Sequence, residues 1–426
     1  MRGAQPIAAA ILCAASALAP ADDNQRYMGV SSCASSQCHG RAEKDATGNV
    51  WLNEYRIWRS DDYHSLAYKK LLNAESRLIA AKLGLASAHE SALCLSCHAT
   101  YVPKALRGRE FQLSDGVGCE SCHGPAEKWL ATHDDAGVTH QDNVRNGLYP
   151  LSNPSARAQL CYGCHMGGGD RFATHRILGA GHPRLSFELE NFTANQPAHY
   201  TLDEDYRQRK APINGAVLWL SGQIEGSRRY LSLLQSRLMQ EERLTPEFAF
   251  YDCQSCHHGL DPKDVRWNTQ RRAQGLEPGA LRLQDHHLRM LELISEVISP
   301  ADTVRLRTLV NQLVAAGQKN RAEVLARAKE LDGWIQSRGA TWLRGAGQDQ
   351  MRNVRRRIVT QAATGTVVDF GTAEQGWLSI VALSTYLGDE QKLAPAIDDL
   401  FGALGNDETF RPASFAAAAR RVAGRF

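Results

Sequence analysis

Five pairs of cysteines, each followed at once by a histidine, carry the chemistry of this chain. Four have the spacing Cys-x-x-Cys-His: Cys94, Cys97 and His98; Cys119, Cys122 and His123; Cys161, Cys164 and His165; Cys253, Cys256 and His257. The remaining pair, first in the chain, is stretched, with four residues between Cys33 and Cys38 before His39. Two such thiols can add across the two vinyl groups of one porphyrin, and the adjoining imidazole then lies close enough to bind the iron from one face. That is the attachment pattern of c-type haem. Histidine is 15 of 426 residues, so chance would place one after all five pairs with a probability of about 10⁻⁷. Structural zinc also uses repeated Cys-x-x-Cys pairs, but has no need of a histidine locked to every second cysteine. Disulfides need none there either. Five haems c with their irons are expected, four of them on strict motifs. At Cys33 and Cys38 the two extra residues must bulge outward, and a local disulfide beside an unmodified His39 is the competing reading.

The motif histidines His39, His98, His123, His165 and His257 leave ten others for five second axial positions. Methionine is scarce, with six including the initiator. Histidine on both faces is therefore expected, which implies lower reduction potentials than axial methionine would give. His133 lies ten residues after His123, on a helix that Pro125 can start, and His175 stands at the same offset from His165. Ten helical residues span about 15 Å, so each of these imidazoles reaches a neighbouring haem more naturally than its own. His182 sits between Gly181 and Pro183, where glycine lets backbone approach a flat cofactor. His64 follows Trp58 and Asp61-Asp62-Tyr63 at the start of a helix carrying Leu66, Tyr68 and Leu71, and His199 follows Pro197. These five, His64, His133, His175, His182 and His199, are the expected second ligands. His89, His140, His258, His286 and His287 stand in reserve, with His258 strained as a ligand beside His257.

The first residues read as an export signal over 1–21: Arg2, an apolar run from Ile7 to Leu18 too short to span a bilayer, and small residues before Asp22. Cys13 falls within it, after a leucine too large for a lipidation site. Its removal leaves ten of the 11 cysteines, five pairs with none over. No later stretch is long and apolar enough to be a transmembrane helix, so a bacterial periplasm is the expected location. The formal charge of +3 omits the two propionates of each haem. Arginine and lysine near the cofactors are thus expected to pair with propionates rather than with nucleic acid.

Two regions follow the signal. Residues 22–265 hold every remaining cysteine and 13 of the 15 histidines. At roughly 45 residues per haem they are too few for an ordinary core, so a loop-rich haem domain with short helices is expected. Residues 266–426 read as an all-α region, a helical cap or dimerisation surface. Leu288, Leu291, Ile294 and Ile298 recur at helical spacing up to Pro300. Asp302 caps a second helix bearing Leu306, Leu309, Val310, Leu313 and Val314, and Val324, Ala328, Leu331 and Ile335 mark a third. Thr372 and Gln375 form a capping box opening a fourth, through Trp377, Val381 and Ser384 to Gly388. With no strand-period region, the fold class is mainly α.

Trp58 to Tyr68 with His64, Cys94 to Ala99, and Gly116 to Pro125 with His133 resemble the periplasmic multihaem cytochrome c family. That family includes the tetrahaem electron carrier serving hydroxylamine oxidoreductase in ammonia oxidisers. His175 to Leu189 and Tyr251 to His258 resemble members with a long helical C-terminal extension. The resemblance covers about residues 27–270 and implies closely packed, mostly bis-histidine haems passing electrons along the chain. The stretched first motif and the fifth haem depart from the tetrahaem pattern.

The expected function is that of a periplasmic five-haem electron carrier without catalytic residues. Its partners would be a quinol-oxidising complex or other periplasmic redox proteins, with a homo-oligomer through the helical tail as a further expectation. The alternative is an oxidoreductase acting on a small nitrogen or sulfur species at one haem lacking its second ligand, with Arg171, His175, Arg176 and Arg184 as candidates for binding an anion and delivering protons.

Overall fold

The computed structural model describes residues 24–44, 50–169, 171–200, 202–209, 213–240, 245–257 and 280–426. The expected export signal, Cys13 and His258 lie outside them. The described chain is helical throughout, and its only β-type pairings are isolated bridges.

The first half is built of short helices joined by loops, as the crowding of motifs into it requires. Three motifs lie on α-helices: Ala92–His98, Cys119–His123 and Pro154–His165. A helical Cys-x-x-Cys-His sequence puts both thiols and the imidazole on one face, three and four residues apart. Local sequence starts and stops these helices. Asn153 accepts from the amides of Ser155 and Ala156 with Pro154 at the first helical position. Gly124, at φ 78°, ends the helix of the third motif. The first and fifth motifs lie at 3₁₀ turns, Val30–Ser32 and Cys253–Ser255.

Apolar burial is unequal between the halves. Around the second motif the core is small: Leu71, Ala80, Ala88, Leu95 and Ala99. A second small cluster joins Ala158, Tyr162, Phe187, Leu189 and Leu218. The main core runs from Ala216 to Val422. It is formed by the helix Gly215–Leu234 together with His286–Ile298, Pro300–Ala316, Arg321–Arg344, Gln348–Ala363, Phe370–Leu387, Glu390–Gly402 and Pro412–Ala423. Gly215–Leu234 thus lies among the haem motifs in sequence but packs with the C-terminal helices. It also packs on the helix of the fourth motif, where a Cβ at Gly226 would stand 3.0 Å from the Tyr162 ring, and on the helix Leu189–Asn195, where one at Gly222 would stand 2.8 Å from the Leu189 side chain.

Three local readings of the sequence are corrected. Residues 127–134 form successive turns rather than a helix begun by Pro125. The amide of Ala126 donates to the Glu120 carboxylate at 2.8 Å. The helix after Ile298 starts at Pro300, with Ser299 as its N-cap, so Asp302 is inside its first turn and bonds Ser299 and the Trp342 indole. The helix ending at Leu387 is capped by Asp369, which accepts from the Thr372 amide at 2.7 Å; Gln375 is drawn away to the carbonyl of Phe187. In the last two cases the cap lies three residues before the one the local motif suggested.

Candidate haem-binding sites

Each motif histidine faces one other histidine. Ring centres are 6.1 Å apart for His39 and His133, 6.1 Å for His165 and His64, and 6.3 Å for His98 and His182. They are 6.4 Å apart for His123 and His199, and 6.3 Å for His257 and His175. The five partners are the five singled out in the sequence. His133 and His175 each face the histidine of a motif other than the one ten residues before them. Of the reserves, His89 stands edge-on to Tyr68 and His140 opens the helix His140–Arg145. His287 is buried and His286 half-buried at the start of the helix His286–Ile298, with His287 edge-on to Tyr162.

The spacing fits a haem iron. An imidazole nitrogen binds a transition-metal ion at about 2 Å and the ring centre lies roughly 1 Å behind it, so two rings on opposite sides of one ion stand about 6 Å apart. The ring nitrogens are also prepared. Nδ1 of His98 is 3.1 Å from the Ala67 carbonyl, that of His133 is 2.9 Å from the Leu130 carbonyl, and that of His182 is 2.8 Å from the Pro183 carbonyl. A carbonyl only accepts, so Nδ1 carries the proton and Nε2 keeps its lone pair for a metal. Carboxylates play the same part for two more rings: Glu54 lies 3.0 Å from Nδ1 of His39, and Asp62 lies 2.9 Å from Nδ1 of His64. Asp62 is itself buried. Burial pushes its carboxyl up, but hydrogen bonds from His64 and Gln196 overcome this and bring it down to about 2. Burial, reinforced by the nearby His64, lowers His165 to about 4, and burial also lowers His98 and His199. These rings are therefore held in the neutral, metal-binding form at neutral pH.

Thiols of different motifs act on one another: Cys119 lowers the Cys33 thiol and is itself raised, and Cys164 lowers Cys97 and is itself raised. The ten described cysteines form no disulfide with one another. Beneath the first and third motifs lies Glu120, between the two cysteines of the third. Its buried carboxylate accepts from the amides of Met28 at 2.8 Å, Gly29 at 2.7 Å and Ala126 at 2.8 Å. Phe187 stacks on His165 with ring centres 4.4 Å apart. Of these supporting residues only Asp62 had a signal in the sequence, as an acidic residue two positions before a candidate ligand. Glu54, Glu120 and Phe187 act across gaps of 15 residues or more and gave none.

Residues 32–124 match the family model described as cytochrome c554 and c-prime. The matched segment holds three of the five motifs together with His64, and over it the chain is similar to that c-type cytochrome family. No curated protein and no solved structure gave a match. The similarity supports covalently bound haem c with its iron and a role in electron transfer. Among the described residues no helix is long and apolar enough to cross a membrane.

Proposed function

We propose that this chain is a periplasmic electron carrier with five haems c, exported by residues 1–21 and bis-histidine at every iron. The observation that carries the reading is the pairing of all five motif histidines with a second imidazole at 6.1–6.4 Å. The cysteines fix the porphyrin edges at Cys33 and Cys38, Cys94 and Cys97, Cys119 and Cys122, Cys161 and Cys164, and Cys253 and Cys256. His39 works with His133, His98 with His182, His123 with His199, His165 with His64, and His257 with His175. When bound, haem supplies one-electron cycling between ferric and ferrous iron. Glu54, Asp62 and the carbonyls of Ala67, Leu130 and Pro183 keep the axial rings in one tautomer and one orientation, so that little rearranges as an electron arrives.

The thiol contacts support an order for the motifs. The mutual influence of Cys33 and Cys119 supports the first beside the third, and that of Cys97 and Cys164 the second beside the fourth. Burial and then the charge of Cys161 raise the Cys122 thiol, which sets the third beside the fourth. His175 and His182, seven residues apart around the helix His175–Gly179, serve the fifth and second. Electrons would pass along first, third, fourth, second and fifth. The partners in this reading are other periplasmic redox proteins or a quinol-oxidising complex, and the C-terminal helices are a surface through which two copies could associate.

Mass and paramagnetic resonance test the proposal together. The mature chain should exceed its polypeptide by five haems, and all five ferric irons should be low-spin and indifferent to added nitrite, hydroxylamine, cyanide or carbon monoxide. The ring planes sharpen the expectation. Parallel imidazoles act on the same iron d orbital and split the pair, whereas perpendicular ones leave it nearly degenerate. His39/His133 at 22° and His257/His175 at 35° should give two rhombic signals; the pairs at 77°, 86° and 89° should give three strongly anisotropic ones. A high-spin signal that responds to an added small molecule would overturn the carrier reading in favour of catalysis.

A further inference from the structure

The His165 ring is held differently from five of the other axial rings. His39 and His64 are held by carboxylates, and His98, His133 and His182 by backbone carbonyls. The His165 ring has no hydrogen-bond partner among the described residues. Phe187 instead stacks on it face to face, 4.4 Å between ring centres and 19° between planes. His64, its partner across the iron position, stands at 6.1 Å and 89°.

Phe187 is itself fixed from several sides, and is 6 % exposed. Tyr162, three residues before His165 on the helix Pro154–His165, stands edge-on to it at 5.0 Å and 85°. Phe192 lies at 4.7 Å and 55°. The Phe187 carbonyl accepts from the side-chain amide of Gln375 at 3.1 Å. The next residue, Glu188, is buried and caps the helix Leu189–Asn195, accepting from the amides of Glu190 at 3.0 Å and Asn191 at 2.9 Å. The Asn191 side-chain amide in turn donates to the Leu378 carbonyl at 2.7 Å. Gln375 and Leu378 lie on one helix of the C-terminal half, Phe370–Leu387. That helix therefore grips the chain at Phe187 and again at Asn191.

An imidazole bound to a metal through Nε2 can still turn about that bond, and a second contact is needed to fix its plane. A hydrogen bond at Nδ1 is one such contact. A close-packed ring against the imidazole face is another, because turning would drive the imidazole edge into it. A stacked aromatic pair favours its own orientation by about 2- to 13-fold.

We propose that Phe187, held by the helix Phe370–Leu387, is the positioning residue that sets the plane of the His165 ring, and with it the crossed arrangement of His165 and His64. The inference rests on the five-haem reading, in which both rings bind the iron of the fourth haem. It gives the C-terminal half a task beyond packing, since one of its helices fixes an axial ligand through a single intervening ring.

Paramagnetic resonance on the full haem-loaded protein reads the plane directly, because crossed rings give a strongly anisotropic signal and rings nearer parallel a rhombic one. Phe187→Leu keeps an apolar side chain but removes the flat face. One of the three strongly anisotropic signals should be lost, so that the intensity of that class falls by about a third, while the two rhombic signals stay. Phe187→Tyr keeps the face and should retain all three. Leu309→Ala, a buried change in the same half, should lower the melting temperature and leave the spectrum as it was, which separates positioning from general stability. If Phe187→Leu does not take up five haems, Gln375→Met, which releases the Phe187 carbonyl, takes its place, with loss of the same signal expected. An unchanged spectrum from the loaded variant, equal losses from Phe187→Leu and Phe187→Tyr, or a parent spectrum with no strongly anisotropic signal would overturn this inference and leave the carrier reading standing. A parent protein that is haem-free, or has a high-spin iron responding to added small molecules, would fail the carrier reading before any variant is compared.

Discussion

Replacing Glu120 by alanine should open the region around the first and third motifs about a hundredfold more often. The side chain is 5 % exposed, and its two oxygens take three backbone N–H groups, from Met28, Gly29 and Ala126. No other acceptor replaces them when the carboxylate is gone, and a buried donor left unpaired costs about 1–3 kcal/mol. Three such donors set an upper range of about 3–9 kcal/mol. Part is returned, because burial holds the Glu120 carboxyl above its ordinary pKa despite those three N–H groups. Its own desolvation is therefore incompletely offset in the folded protein, and alanine removes that cost. A net loss of about 3 kcal/mol remains, roughly a 150-fold change in the local opening equilibrium. Amide hydrogen exchange on the haem-loaded protein reads it directly. Protection at Met28, Gly29 and Ala126 should fall by about two orders of magnitude, while amides in the helix Pro300–Ala316 keep theirs. Less than a threefold change at all three amides would refute the reasoning, as would an equal loss in the C-terminal helices.

The pair Arg355–Asp389 ties the helix Gln348–Ala363 to the turn after Leu387. Arg355 is 2 % exposed, with one guanidinium nitrogen 2.7 Å from Asp389 and another 2.9 Å from the Ser384 hydroxyl. The bond from Arg355 holds the Asp389 carboxyl below its usual range. The folded value lies under the unfolded one, so this stabilisation is complete above about pH 4 and lost as pH falls through the folded value. Asp389→Ala should cost about 2 kcal/mol at pH 7, discounted for partial solvent exposure of the carboxylate, and its melting temperature should converge on that of the parent below about pH 3. Leu309→Ala, at a position 1 % exposed, should cost about 2–5 kcal/mol by thermal or denaturant unfolding. Val304→Ala on the same helix, 74 % exposed, should stay within about 0.5 kcal/mol; equal effects would contradict the burial of that helix face.

Much of the haem chemistry was legible because it is local. Attachment needs two thiols and an imidazole within a few residues, so spacing alone announces it. The helical tail was legible for a related reason: stripes such as Leu288, Leu291 and Ile294, or Val324, Ala328 and Leu331, mark buried faces whatever they pack against. The helix starts at Asp302 and Thr372 were misread because Pro300 already opens the first helix behind Ser299, and Asp369 takes the Thr372 amide. The turns from 127 to 134 were misread as a helix from Pro125. Local propensity decides such sites only when no better partner arrives from elsewhere.

The sequence by itself determined five cysteine pairs each followed by a histidine, an ample supply of further histidines and a helical C-terminal half. Which histidine faces which motif was decided by the tertiary structure alone. His64 meets His165 across about a hundred residues, and His199 meets His123 across more than seventy. The same holds for Asp407, which the tail brings to the cavity beside Cys253. The physical reason is range. Covalent attachment is written in adjacent residues, whereas axial pairing and electrostatic environment depend on side chains that only packing brings within a few ångströms.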